Sequence, residues 1–175
     1  FLAHKGEPIL HIEMGGLLRS LVQTASYAGK RVAEVIDAGN ILPSFVPVSI
    51  FTRELFDKFT GKEHLILDGV ARRIEQSQML NEELNFLGRA SCDVVLLDIP
   101  KEESLKRLKE RASIEGRIDD LDEERVLRRL GWYEEHVVPA LEEFKKLGQR
   151  VHYVDGLGTI EEVHKRVLPA LGLAK

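Results

Sequence analysis

The chain of 175 residues has little of what marks a specialised protein. Its single cysteine, Cys92, excludes an internal disulfide framework and a zinc site built from several thiolates. No apolar run approaches the roughly 18 residues that a membrane span needs. The opening FLAHKGEP does not have the pattern of a secretory signal. An excess of basic residues is also absent, because 25 lysines and arginines stand against 29 acidic residues, a net charge of −4. A nucleic-acid binder relying on overall positive charge is therefore excluded, while a local basic patch stays open. What is present is an ordinary globular mixture, 43% hydrophobic and 31% charged, without repeats or low-complexity stretches. Its length suits one domain over residues 1–175 with its own core. A reducing, cytoplasmic setting fits these features.

The chain opens on Phe1, and residues 1–5 read as a helix tail stopped by Gly6 and Pro8. The expectation is that the natural protein begins further upstream.

Four short apolar runs punctuate the sequence: Ile9–Ile12, His64–Leu67, Cys92–Ile99 and Val151–Val154. Helical periodicity fills the segments between them, at 15–24, 30–38, 46–59, 73–87, 101–111, 121–147 and 159–170. Apolar runs separated by helices predict an α/β fold, a parallel sheet flanked by helices with strands buried on both faces. The sheet is thin, and one more strand at the N-terminus would complete it. In the long segment 121–147, Val126, Leu130, Val137, Leu141 and Phe144 trace one apolar face, and Pro139 should bend or split the helix.

In such sheets ligands sit beyond the carboxyl ends of the strands. Asp68-Gly69 stands at one such end, followed by Arg72. The aspartate can order water on a magnesium ion, the glycine lets backbone approach a ligand, and the arginine offers a planar fork for phosphate. A second group comprises Arg107, Arg111, Gly116, Arg117, Asp119, Asp120, Arg128 and Arg129. Guanidinium groups converging on one point need an anion, and phosphoryl transfer supplies one whose transition state is stabilised chiefly by positioned cations. A movable loop carrying Arg117 would also exclude water. Plainer roles compete. Asp68 could cap the following helix. Arg107 and Arg111 could pair with Glu103 or Glu110 on an exposed face. Arg19 could be solvated, and one of Arg128 and Arg129 serves only as surface charge. The six histidines show no paired metal spacing, and Cys92 reads as a buried, inert thiol.

Five segments carry a resemblance: HIEMGGLLR, DAGNILP, LILDGVARRIEQSQML, LKRLKERASIEGRIDDLDEERVLRRL and VHYVDGLGTIEEV. In order and spacing they resemble the adenylate kinase group of nucleoside monophosphate kinases, over nearly the whole chain. The resemblance implies a P-loop kinase fold whose first strand and P-loop are missing from this sequence. Residues 14–43 would form part of an AMP-binding subdomain and 111–120 a short lid. Met14, Arg19, Asn40, Ile41, Leu42, Gly69, Arg72 and Gln76 would form the AMP site. Within it, Arg19 and Arg72 would hold the phosphate, Gln76 would bond the adenine edge, and residues 40–42 would act largely through backbone. Arg107, Arg111 and backbone near Gly158 would meet ATP. Arg111, Arg117 and Arg129 would be catalytic, with Asp119 orienting arginines, and Asp68 would hold Mg2+ through water.

Three departures from the family pattern stand out. Met14-Gly15-Gly16 replaces the usual Thr-Gly-Asp, removing a hydroxyl and an orienting carboxylate. Val70-Ala71 replaces Phe-Pro, which should loosen that turn. No Gly-x-x-x-x-Gly-Lys-[Ser/Thr] occurs in the 175 residues, although the family places this phosphate cradle about ten residues before FLAHKGEP. The expected activity of the parent protein is transfer of a phosphoryl group from Mg·ATP to AMP by a cytoplasmic monomer that binds neither nucleic acid nor membrane. The sequence without its P-loop is expected to have negligible activity and weak stability. A UMP/CMP kinase and a degenerate, non-catalytic nucleotide-binding domain are the alternatives.

Overall fold

The four apolar runs form strands, and the periodic segments form helices, in a computed structural model that describes residues 5–115 and 123–173. Contacts divide the chain into two compact units, Phe1–Gly88 and Arg89–Lys175.

In the first unit the order is β1 (Ile9–Glu13), α1 (Met14–Gln23), α2 (Tyr27–Asp37), α3 (Phe45–Lys58), β2 (His64–Asp68) and α4 (Ile74–Phe86). Strands β1 and β2 are parallel and in register from Ile9 opposite His64 to Glu13 opposite Asp68, so both carboxylates stand at the same carboxyl edge. Helix α3 packs against β1, α1 and α4. It does so through Pro47, Phe51 and Leu55, which recur every fourth residue and are all buried. With Ile12, Met14, Val32, Leu80 and Leu84 they form the core of this unit. Local chemistry sets the helix ends. Ser26 caps α2 by accepting the Gly29 N–H at 3.0 Å. At its other end Gly39 and Asn40 donate to Ile36 and Val35 carbonyls, closing a glycine C-terminus.

Burial on both strand faces is not what forms. Leu10, Ile12, Leu65 and Leu67 turn inward, whereas His11 and its register partner Ile66 are exposed. A two-stranded sheet covered on one side shows alternation, and the apolar run HLIL hid that because one outward position is isoleucine.

A buried carboxyl lies between α3 and α4. Glu83 Oε1 bonds Thr52 Oγ1, and the same hydroxyl lies 2.9 Å from Val48 O. One hydroxyl hydrogen cannot serve two acceptors, so the arrangement is complete when Glu83 is protonated and donates to Thr52. Burial raises the Glu83 pKa in agreement, and the stabilisation this gives is fullest at low pH and lost as pH rises through the folded value.

The second unit runs β3 (Asp93–Asp98), α5 (Lys101–Glu115), α6 (Glu123–Trp132), a π turn (Tyr133–Val137), α7 (Val138–Lys146), β4 (Arg150–Asp155) and α8 (Ile160–Ala170). Strands β3 and β4 are parallel, from Asp93 opposite Arg150 to Asp98 opposite Asp155. The long helix runs on without a break, and Pro139 marks where its hydrogen bonding widens. Proline has no N–H to give Glu135, and the chain answers with a wider turn in which Val138 donates to Tyr133 O.

At the amino ends of β3 and β4, Asp93 receives Arg150 Nε on Oδ1 and Nη2 on Oδ2, both at 2.7 Å, and His152 Nε2 also lies 2.7 Å from Oδ1. The Arg150 bonds foremost, then the His152 contact, hold the Asp93 pKa down to about 2. The ordinary value is near 4, so this stabilisation is present above pH 4 and is lost as pH falls towards 2. Asp93→Asn should lower Tm at pH 7 by about 2–4 °C, the shift for roughly 1 kcal/mol in a chain of this size. Thermal unfolding should show the gap to the parent shrinking below pH 4. A gap that stays constant on acidification would separate the stability from Asp93 ionisation.

Candidate active site

Two strand edges, one in each unit, carry some of the residues singled out from the sequence. In the first unit, β2 ends at Asp68, whose carboxylate is exposed. Gly69 follows with φ +64, a left-handed conformation that suits glycine. A Cβ at Gly69 would lie 2.7 Å from Arg72 Nη2. The Arg72 side chain therefore lies back across the glycine at the strand end.

The turn itself is not loose. Gln76, 5% exposed, accepts the Arg72 backbone N–H on Oε1 at 2.8 Å. Val70 is buried in place of the family's bulkier residue. The bond fixes which end of the Gln76 amide faces Arg72 and leaves Nε2 as its donor end. Arg73, with no side-chain cap, occupies the N-cap of α4, so capping by Asp68 does not occur.

Arg19 stands on α1 and bonds Glu13 Oε1 through Nη2 at 3.0 Å. Met14, the first residue of α1, is 5% exposed, so its thioether belongs to the core. Asn40 is exposed in the loop after α2, beside the half-buried Ile41 and Leu42.

In the second unit the carboxyl ends of β3 and β4 border an open hollow lined by Asp98, Ile99, Pro100, Tyr153, Asp155 and Leu157. The loop after β4 is held at every step. Gly156 N–H donates to Asp98 O at 2.8 Å, and Leu157 N–H to Asp155 Oδ1 at 2.9 Å. Arg166 of α8 donates to Asp155 O at 2.9 Å and to Leu157 O. Thr159 and Glu162 form a reciprocal cap on α8. Gly158, φ +96, is exposed within this loop, where a side chain would collide with Glu162.

Arg107 and Arg111 share a face of α5. Arg107 Nε pairs with Glu103 Oε1 at 2.7 Å, so the plainer i,i+4 role is realised for that residue. Arg111 is half-buried. Gly116, Arg117, Asp119 and Asp120 lie outside the described residues, and Arg129 falls within α6. Among the described residues no group of three or more His, Cys, Asp or Glu side chains could hold a metal ion directly. Burial, and then the Asp93 charge, push the Cys92 thiol pKa up, which suits an unreactive role.

Residues 4–149 match the profile of the adenylate kinase family. The chain belongs to that family. It is 35% identical over 162 residues to the adenylate kinase of Thermus thermophilus, covering 93% of this chain and 83% of that protein. The adenylate kinases of Leptospira biflexa and Bacteroides fragilis are 34% and 33% identical over 163 residues, again 93% of this chain and 86% and 85% of theirs. Membership makes the protein a phosphotransferase of the nucleoside monophosphate kinase group and agrees with the parallel strands and flanking helices.

Two residues with a place at these edges escaped the sequence. Glu13 directly follows the run Ile9–Ile12 and carries no signal of its own, though it sits three residues before the altered Gly16. Arg166 lies far along α8, where nothing in the spacing tied it to the loop it holds.

Proposed function

We propose that the protein transfers the terminal phosphoryl group of ATP to AMP, giving two ADP. The observation that carries this is the first-unit edge, where Arg19, Arg72 and Gln76 accompany the ends of β1 and β2. Arg19 and Arg72 hold the acceptor phosphate, with a planar fork suited to its oxygens. Gln76 presents Nε2 to an acceptor nitrogen of the adenine edge, while Gly69, Asn40, Ile41, Leu42 and the Met14 backbone shape the site. In the second unit Arg107, Arg111 and the Gly158 backbone meet ATP. Arg111, Arg117 and Arg129 grip the transferring group, and Asp119 orients arginines.

Asp68 fits a magnesium ion held through water, because its exposed carboxylate offers only hard oxygen donors. Bound there with the nucleotide, magnesium would neutralise phosphate charge. The chain itself does the rest by positioning and electrostatics, and the reaction requires no covalent intermediate. We place the enzyme in the cytoplasm as a monomer. No described helix is long and apolar enough to cross a membrane.

Arg72→Ala tests the reading. It should weaken AMP binding by about 10–100-fold, the loss of one charge-assisted contact of roughly 1.5–3 kcal/mol, in a calorimetric titration. Unchanged affinity would remove Arg72 from the phosphate site. Gln76→Ala should narrow the preference for AMP over UMP and CMP in the same titration. A parent protein that binds UMP or CMP more tightly than AMP would favour the pyrimidine alternative. A full-length protein that binds both nucleotides without turnover would favour the non-catalytic one.

A further inference from the structure

The altered Met14-Gly15-Gly16 segment and the unforeseen Glu13–Arg19 bond occupy the same place. Glu13 is the last residue of β1 and the N-cap of α1, with extended backbone, yet its side chain makes no capping bond. It reaches along the helix start to Arg19 instead, six residues on, at 3.0 Å. The carboxylate and the guanidinium meet directly over the two glycines. A Cβ at Gly15 would lie 3.0 Å from both Glu13 Oε1 and Arg19 Nη1, and one at Gly16 would lie 3.1 Å from Glu13 Oε2. Of the two, only Gly16 departs from the family's Thr-Gly-Asp, and an aspartate there would contest the space.

The pair is exposed, 44% for Glu13 and 51% for Arg19. Pairs so placed add little to folding stability. What this one does is restrict where a long, flexible side chain stands. It uses one of the five guanidinium donors and keeps Arg19 beside the carboxyl edge shared by Glu13 and Asp68. The orienting carboxylate that the family carries at the third position of Thr-Gly-Asp is supplied here from the strand end, three residues earlier.

We propose that Glu13 is a positioning residue for Arg19, and through it for the phosphate of the acceptor nucleotide, and that Gly16 leaves room for the pair. The inference rests on the reading of Arg19 as a phosphate ligand. Preorganising a side chain lowers the entropy lost when its ligand binds. A carboxylate acting merely as a neighbouring negative charge would do the reverse and repel the phosphate.

The two cases separate by titrating the protein with AMP and with adenosine, followed by calorimetry or NMR shifts. Glu13→Ala should weaken AMP by about three- to fivefold, the scale of one solvent-exposed ionic contact, and leave adenosine unchanged. Moving the carboxylate, with Glu13→Ala and Gly16→Asp together, should restore most of the loss, because position 16 lies one turn from Arg19. Unchanged or tighter AMP binding by Glu13→Ala overturns the proposal. So does an equal loss for AMP and adenosine, which would signal a structural defect. Arg19→Ala identifies which layer failed. If it weakens AMP while Glu13→Ala does not, only the positioning role falls. If Arg19→Ala leaves AMP binding intact, the phosphate role of Arg19 falls with it.

Discussion

Arg117→Ala should lower kcat by about 10²–10³-fold, with KM for AMP held within about twofold. The expectation comes from where charge develops. The outer phosphoryl oxygens are charged already in bound ATP, but only in the transition state does the group stand between ADP and the acceptor with its charge spread over three equatorial oxygens. A guanidinium aimed at those oxygens stabilises the transition state more than either bound nucleotide, so its loss appears in kcat. Arg117 follows Gly116 and precedes Asp119-Asp120, in the short connection between α5 and α6. Arg72 should behave differently, because in the proposed role it meets a phosphate that is charged and in place in both ground and transition states. Its loss should raise KM for AMP more than it lowers kcat. Steady-state kinetics on both variants distinguishes the roles, and an Arg117→Ala enzyme with parental kcat would remove Arg117 from the phosphoryl site.

Strand positions were legible in the sequence because each apolar run is short and bounded by turn residues. The run Cys92–Ile99 became Asp93–Asp98, and Val151–Val154 became Arg150–Asp155. Pro139 was legible as a local disturbance because its missing N–H acts locally, although the sequence offered a bend or a split and the chain forms a π turn within a continuous helix. Facing was not legible. Ile66 and Leu97 are 43% and 48% exposed within runs that read as wholly buried, because periodicity reports composition and not what covers a strand.

The site divides the same way. Gly69 and Arg72 announced themselves by residue type and spacing. The bond from Arg72 N–H to Gln76 is an i,i+4 contact that the side chain makes with backbone, and it turns the replacement of Phe-Pro into a tethered turn. Glu13 and Arg166 act across distances set by how a strand end meets a helix, which no spacing rule encodes.

The largest effect on stability should come from Leu55→Ala. Leu55 has no exposed surface, and its neighbour one turn earlier, Phe51, is 2% exposed. Both belong to the face of α3, the helix that packs on β1, α1 and α4. Removing three carbons there leaves a cavity that three elements would have to move together to fill. The expected cost is about 2–5 kcal/mol, which lowers Tm by roughly 5–15 °C in a chain of this size. Leu127→Ala on α6, 45% exposed, is the control and should shift stability by no more than about 0.5 kcal/mol. The consequence for binding follows from the same packing. Helix α3 supports β1 and α1, and these carry Glu13 and Arg19. Leu55→Ala should therefore weaken AMP even at temperatures where the protein stays folded, and it should weaken adenosine as well. Glu13→Ala should spare adenosine. A Leu55→Ala protein with parental Tm would show that the core of the first unit is not centred on α3.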